Sequence, residues 1–390
     1  PFEKLRGIEV IRPDLAEYLG AFGAALVAVE HARMHPSGAG SRPADLLAMS
    51  RPNRTTESHC GGCTNHCRIR SVQFSGARSY HTGNRCERIF SNSDRTREPG
   101  RNLVAEKLQL VERLDLEQPD SPLLSVGLPM VLNMWENYPF WATLFRGLGW
   151  RVARSRISTP SLIKESAATV MSDNICYPAK LAHAHIIDLT RRDVDHIFYP
   201  RVTFEQPKFE DTANHYNCPI VTGYPDVIDG AVNPAERGVK MDSPLINFRD
   251  TEQLRSGCLH YLARFAIGKS RFKRAFAQAL EVQQSFRKAL LLKGEEVIAA
   301  ARAQRSPLIV LGGRPYHVDP HINHHIAEMI AALGLHVLTE DALPLDTITV
   351  SEPLQVVDQW EYSNRLYRAA HWAGAEPLAE FIQLNSFGCG

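Results

Sequence analysis

The run LLSVGLPMVL at 123–132 is almost unbroken in apolar residues and passes through a Gly-x-Pro turn. That texture predicts a strand buried on both faces. Behind it, ENYPFWATLFRGLG repeats apolar positions at helical spacing and closes on Leu148-Gly149, and WRVARS reads as the next strand. HAHIIDLTRR continues as a helix, with HIFYPRV and CPIVTGYP as further strands. Strand and helix in alternation predict a parallel α/β sheet. Residues 270–305, rich in Ala, Lys, Arg, Gln and Glu, predict a long helix or a helix pair. The pattern then restarts at PLIVLGGRPYHVDP: Gly127-Leu128-Pro129 has its counterpart in Gly313-Arg314-Pro315, and Leu148-Gly149 in Leu333-Gly334.

The expected fold is therefore α/β, with two Rossmann-like parallel-sheet lobes in tandem. The first spans 123–269, the second 306–390, and 270–305 joins them. Ligands of such sheets bind at the carboxyl ends of the strands. Upstream the chain is less regular. Residues 8–30 read as a short strand, a turn at Pro13, and a helix. Its Gly20, Ala21, Gly23, Ala24 and Ala25 would let it pack closely on a neighbour. A Gly/Ser/Pro-rich linker lies within 34–54, a cysteine module at 55–100 and a polar connection at 101–122.

The 390 residues suffice for two or three domains. With 44 basic and 43 acidic residues, no charge excess points to nucleic acid or an anionic membrane. No apolar run approaches the roughly 20 residues of a membrane helix, and no signal-peptide pattern opens the chain. Eight cysteines in such a chain imply metal or redox work in a reducing, cytoplasmic setting rather than disulfides. The chain starts at Pro1 and stops at FGCG, which reads as a fragment of something longer.

Four cysteines, Cys60, Cys63, Cys67 and Cys86, follow the spacing C-x2-C-x3-C-x18-C. Four thiolates close a structural zinc site or hold an iron–sulfur cluster, and the short C-x2-C supplies the pair that grips one metal. Gly61 and Gly62 free the backbone between them, and Gly76 and Gly83 suit a hairpin that returns Cys86. An unmetallated loop is the plain alternative. His59, His66 and His81 stand near as spare ligands.

Cys176, Cys218 and Cys389 all fall at predicted turns. Singly, each reads as a small buried residue. Jointly, three thiolates would hold a four-iron cluster and leave one iron with an open position. Cys258, among apolar helical neighbours, reads as packing. Lys180 and His183 share a helical face beside Cys176, with His185 off to the side. Lys180 would neutralise a cluster or hold an anion, and His215, three residues before Cys218, would donate to the same site. Arg314 is a weak candidate for a phosphate contact; His324 and His325 are too loosely placed to be ligands. The absence of a P-loop, of G-x-G-x-x-G after a strand, of G-x-S-x-G and of HExxH disfavours nicotinamide enzymes and serine hydrolases.

The segments NMWENYPFWATLFRGLGWRV, CYPAKLAHAHI, IFYPRVTFE, NHYNCPIVTGYP, GGRPYHVDPHINH, DQWEYSNRLY and QLNSFGCG resemble the fused activase/dehydratase-like proteins related to 2-hydroxyacyl-CoA dehydratases and double-cubane cluster proteins. The resemblance runs from about residue 55 to the end. RPDLAEYLGAFGAALVAVE further resembles the end of the actin-like ATPase activase that precedes this region in the fused proteins, so 1–33 would be its tail. The resemblance implies an ATP-hydrolysing activase partner, fused or separate, that sends a low-potential electron into an iron–sulfur cluster between two lobes. The cluster would then reduce an acyl-CoA-type substrate. By motif, Cys176, Cys218 and Cys389 are its ligands. One departure is Arg201, where the family pattern carries a cysteine; this puts a double-cubane cluster in doubt and leaves a three-cysteine [4Fe-4S] site or a degenerate one. The rival expectation is a non-catalytic, zinc-stabilised scaffold that docks an activase. A homodimer is compatible with either. A zinc-dependent nucleic-acid binder is disfavoured by the neutral charge.

Overall fold

A computed structural model describes residues 7, 18–34, 53–61, 66–74, 79–84, 98–115, 118–120, 122–172, 174–350 and 354–386. The chain divides into two compact units: 1–59 with 67–90, and 60–66 with 91–390.

In the first unit, helix α1 (Leu19–Met34) buries none of its residues. The close packing expected of its Gly and Ala positions is not found among the described residues, where a Cβ at Gly20 or Gly23 would meet nothing within 4 Å. The same unit holds an antiparallel meander of β1 (Arg54–His59), β2 (Arg68–Gln73) and β3 (Ser79–Thr82). Ser71 and His81 join across the pair β2–β3 through Oγ and Nδ1 at 2.7 Å. Cys60 follows β1 directly, and Cys67 directly precedes Arg68, which pairs with His59.

The second unit is α/β with parallel sheets. After α2 (Leu103–Arg113) come β4 (Ser125–Leu128), α3 (Met134–Gly147) and β5 (Arg151–Arg154). With β6 (His196–Phe198) and β8 (Lys240–Asp242) these strands form a four-stranded parallel sheet in the order β5-β4-β6-β8. β7 (Arg201–Val202) pairs with β9 (Leu245–Ile246), also parallel. A second parallel sheet has the order β11-β10-β12, from β10 (Leu308–Gly312), β11 (His336–Thr339) and β12 (Ala379–Gln383). Every residue of β4, β10 and β11 is buried, including the polar Ser125, His336 and Thr339, as strands of a parallel sheet covered on both faces are.

The helices supply the rest. They are α4 (Pro160–Ser166), α5 (Tyr177–Thr190), α6 (Pro219–Val232), α7 (Thr251–Leu262), α8 (Lys269–Gln304), α9 (Ile326–Ala332) and α10 (Glu361–Ala375). Of the two possibilities for 270–305, one 36-residue helix is observed. CPIVTGYP, expected as a strand, instead opens α6. Pro219 lacks an N–H that the first helical turn could not have satisfied, and its fixed φ suits that position. The connection 101–122 contains α2, capped by the Asn102 side chain, which accepts from Ala105 N. In the second sheet the helix after the G-x-P turn is shorter than its counterpart: a 3₁₀ turn at Pro315–Val318 precedes α9. Both α3 and α9 nonetheless close on Leu-Gly, with Gly149 at φ +83° and Gly334 at φ +82°. Only glycine enters that region without strain.

Helix α3 carries an internal proline, Pro139. Proline displaces the carbonyls of the preceding turn. Gln283 of α8 fills the gap: its amide nitrogen donates to Glu136 O at 3.0 Å and its oxygen accepts from Phe140 N at 3.0 Å. This locks α3 on α8 and orients Glu136. Around them Phe140, Trp141, Phe145, Trp150 and Phe198 pack edge-on or stacked, with each side chain 1% exposed or less. Such aromatic contacts add to area burial.

Candidate functional site

Both G-x-P turns lead to one cavity. From the carboxyl end of β4 the chain passes Pro129 and brings up Leu132 and Asn133; from the carboxyl end of β10 it brings up Arg314, Pro315 and Tyr316. The remaining walls are Cys176, the stretch Tyr216–Val221 that includes Cys218, and Trp360 and Tyr362 at the start of α10. The cavity measures about 220 Å³. Leu132 sits at φ +47°, where a branched residue is strained by about 1 kcal/mol. Strain of this kind collects at functional sites.

The two cysteines occupy equivalent places. Cys176 is the N-cap of α5 and Cys218 the N-cap of α6, each followed by proline within two residues. Ile220 N donates to Cys218 Sγ at 3.3 Å. A helix amino terminus presents unmatched N–H groups and a positive dipole end, which suit an anionic group bound beside these sulfurs. Arg314 adds a guanidinium to the cavity wall and reaches Ser363 Oγ at 3.1 Å. The thiol of Cys176 is also felt by two tyrosines: burial first, and the sulfur next, raise the Tyr224 hydroxyl to about 12. Tyr199 is raised likewise by burial, by Tyr224 and by Cys176. Its buried hydroxyl has no hydrogen-bond partner among the described residues.

Of the expected site residues, Cys176 and Cys218 come together here. Cys389 lies outside the described residues, as do Cys63 and Cys86 of the amino-terminal four. Among the described residues no group of three or more His, Cys, Asp and Glu is placed to hold a metal. Lys180 stands half-buried in the first turn of α5 and does not line the cavity. His183 is wholly buried, with Nδ1 3.0 Å from Thr169 Oγ1 and Nε2 2.9 Å from Tyr224 Oη. Burial pulls its pKa to about 4, so the ring is neutral at pH 7 and holds Tyr224 beside Cys176. His215 contacts Glu361 Oε2 at 2.8 Å through Nδ1, and the chain beyond it carries Tyr216 to Cys218 into the cavity wall. His185 bridges Ser155 Oγ (2.7 Å) and Ser158 Oγ (2.9 Å), and Ser158 donates to Asp319 Oδ2 at 2.7 Å. Arg201 donates to Ser243 O and pairs with Asp226 rather than lining the cavity.

Glu205 has no place in the sequence reading beyond its motif, yet it is 3% exposed behind this wall. Its carboxyl accepts from Asn133 at 3.0 Å, Asn217 at 3.0 Å and Asn137 at 3.2 Å. Burial raises its pKa, the amides lower it, and Glu136 raises it further. Because Asn133 and Asn217 also line the cavity, Glu205 fixes two of its walls. Trp360, Tyr362 and Glu205 all lie in segments that carry the family resemblance, but spacing alone gave them no role.

Comparison with known proteins adds a family. Residues 125–343, more than half of the chain, match the family described as "CoA enzyme activase uncharacterised domain". No curated protein matches. A solved structure titled "Putative sugar binding protein", from Salmonella typhimurium LT2, aligns with 73% of this chain and 88% of its own. At 10% identity and a TM-score of 0.25 that likeness carries no argument. The matched segment contains β4 to β11, Cys176, Cys218 and Arg314, and the chain belongs to the CoA enzyme activase domain family.

Proposed function

We propose that the chain is the iron–sulfur component of an ATP-dependent, low-potential reductase or dehydratase system acting on acyl-CoA-type substrates, with an activase as its partner. The observation that carries this reading is the cavity in which Cys176 and Cys218, distant in sequence, share a wall with Arg314. The donor set fits a cluster: soft sulfur ligands at two helix amino termini in a pocket of mainly apolar walls. In this reading Cys389, outside the described residues, supplies the third thiolate, and the two parallel sheets are the two Rossmann-like lobes. When bound, a [4Fe-4S] group supplies one-electron chemistry at an open iron.

The chain's own residues set the surroundings. Leu132, Ile220, Trp360 and Tyr362 keep water out and raise the strength of every charge inside. Arg314 offsets negative charge on the thiolates or on an incoming thioester oxygen. Tyr199, whose buried hydroxyl has no hydrogen-bond partner among the described residues, would be available as a donor near Cys176. Lys180, His183 and His215 act in this reading as groups that position the two cysteine-bearing segments.

The test is anaerobic purification followed by iron, zinc and acid-labile sulfide analysis of the wild-type chain and of Cys176→Ser/Cys218→Ser. About four irons and four sulfides should be present and should disappear in the double variant. Iron unchanged by the two substitutions would sink the assignment. Zinc without iron in both proteins would leave the zinc-stabilised scaffold that docks an activase.

A further inference from the structure

A second cavity, about 400 Å³, lies away from the cysteines. It is enclosed by α3, by α8, by residues 206–209, by the turn at 340–346 and by Arg365. Trp135, Phe209, Phe286, Leu290, Leu343 and Leu345 form its apolar surface.

Its polar end is built on Glu136, which the Pro139 kink and Gln283 hold in place. Glu136 Oε1 lies 3.0 Å from Arg365 Nη2, 3.2 Å from Lys208 Nζ and 3.7 Å from Arg287 Nη2. A second contact joins Arg365 Nη1 to Oε2 at 3.3 Å. One carboxylate thus answers three cations; Arg365 also has Glu340 at 3.5 Å, and Lys208 feels the buried Glu361 more weakly. The fourth interior cation, Lys107, pairs closely with Asp341. Inside the cavity the cations are Lys107, Lys208, Arg287 and Arg365, and the carboxylates are Glu136, Glu340 and Asp341. Even with all three carboxylates ionised, the cations outnumber them by one. At the exposed rim Lys288 and Asp346 cancel.

The surplus sits at Lys208 and Arg287. Burial and the neighbouring Arg365 lower the Lys208 ammonium pKa, whereas Asp341, Glu136 and Glu340 outweigh burial and raise that of Lys107. Arg287 Nε is buried with no hydrogen-bond partner among the described residues. An unmatched buried donor costs about 1–3 kcal/mol, and an anion between Lys208 and Arg287 would remove that cost.

We propose that this cavity binds a small organic carboxylate, its head held by Lys208 and Arg287 and its apolar body lying against Trp135, Phe286 and Leu290. The excess of cations over carboxylates in the lining suits an anion, and the predominance of apolar wall suits an organic one. Arg287 Nη1 donates to Gln206, so the Nε–Nη2 edge is the one left to meet a planar carboxylate. The apolar walls select a hydrocarbon body, and the volume falls at the small end of ligand pockets, roughly 300–1,000 Å³. The inference stands independently of any cluster at Cys176 and Cys218.

The experiment is isothermal titration of the full chain with acetate, butyrate and hexanoate, and with inorganic phosphate as the competing anion. Affinity should rise about fourfold per buried methylene until the cavity is full. It should fall at least tenfold in Lys208→Met and in Arg287→Gln, and stay unchanged in Cys176→Ser/Cys218→Ser. Repeating the titration at pH 7 in buffers of different ionisation heat should reveal proton uptake, since a bound anion raises the proton affinity of Glu340. Circular dichroism confirms that each variant is folded, and Arg287→Gln, at the more exposed of the two cations, serves if Lys208→Met is not. No binding, binding indifferent to both substitutions, or phosphate bound in place of the carboxylates would each overturn the proposal.

Discussion

Replacing Glu136 by Gln keeps the shape of the side chain and deletes its charge, so it isolates the electrostatics of the buried ionic cluster. At an effective dielectric of about 20, each of the cations at 3.0, 3.2 and 3.7 Å is attracted by about 5 kcal/mol. The attraction of roughly 15 kcal/mol is opposed by the desolvation of four charged groups, several kcal/mol each. The intact cluster is therefore near balance. Glu136→Gln removes all of this attraction but relieves the desolvation cost of only one of the four groups, leaving Lys208 and Arg287 buried beside Arg365, which keeps Glu340. Loss of one partner from such a cluster costs about 3–5 kcal/mol. The assay is urea unfolding followed by the fluorescence of Trp135, Trp141 and Trp150, which are each 1% exposed and belong to the same unit. With a slope near 3 kcal/mol/M the midpoint should fall by about 1–2 M. A fall worth less than 1 kcal/mol would refute the reasoning, because it would mean that the three cations do not depend on Glu136. The same variant should bind the carboxylate of the second cavity more tightly, since the surplus charge has grown; stability and affinity then move in opposite directions.

Glu340 is raised to about 7, chiefly by burial and next by Asp341. Its contribution to stability is complete below the unfolded value near 4.5 and is lost as pH rises to about 7, so Glu340→Gln should flatten the stability profile in that window by about 3 kcal/mol. Burial depresses His185 to about 4 and His317 to about 3, so each stabilises the fold above pH 6.5. Between pH 6.5 and 5 each should forfeit about 2 kcal/mol, and the fall in melting temperature over that range should shrink in His317→Gln. Gly294→Ala should destabilise in urea by more than the ~1 kcal/mol of helix propensity that alanine adds, because its Cβ would stand 2.0 Å from Ala342 O; an equal or higher midpoint would contradict the α8 packing. If Cys60, Cys63, Cys67 and Cys86 hold one metal, as their spacing proposes, serine at any one of them should release it in elemental analysis.

The periodicity of apolar residues determined much of the second unit. β4, α3, β5, β10 and the long α8 each carry enough consecutive or helically spaced apolar side chains to specify their own geometry, and two Leu-Gly pairs mark helix ends because glycine alone accepts the left-handed turn. CPIVTGYP misled because a short apolar run suits a buried strand and a helix equally; the cap position of Cys218 and the path beyond it decide between them. The grouping of Cys176 with Cys218 was legible through the family resemblance, but that Arg314 shares their wall was not, since its approach depends on where two sheets end in space. Least legible was the Glu136 cluster. Lys107, Lys208, Arg287, Glu340 and Arg365 come from five separate segments, and each in sequence looks like an ordinary solvated charge. Only the packing of α3 on α8 takes them out of water, and with that the weak interactions of a surface become the strong ones of an interior.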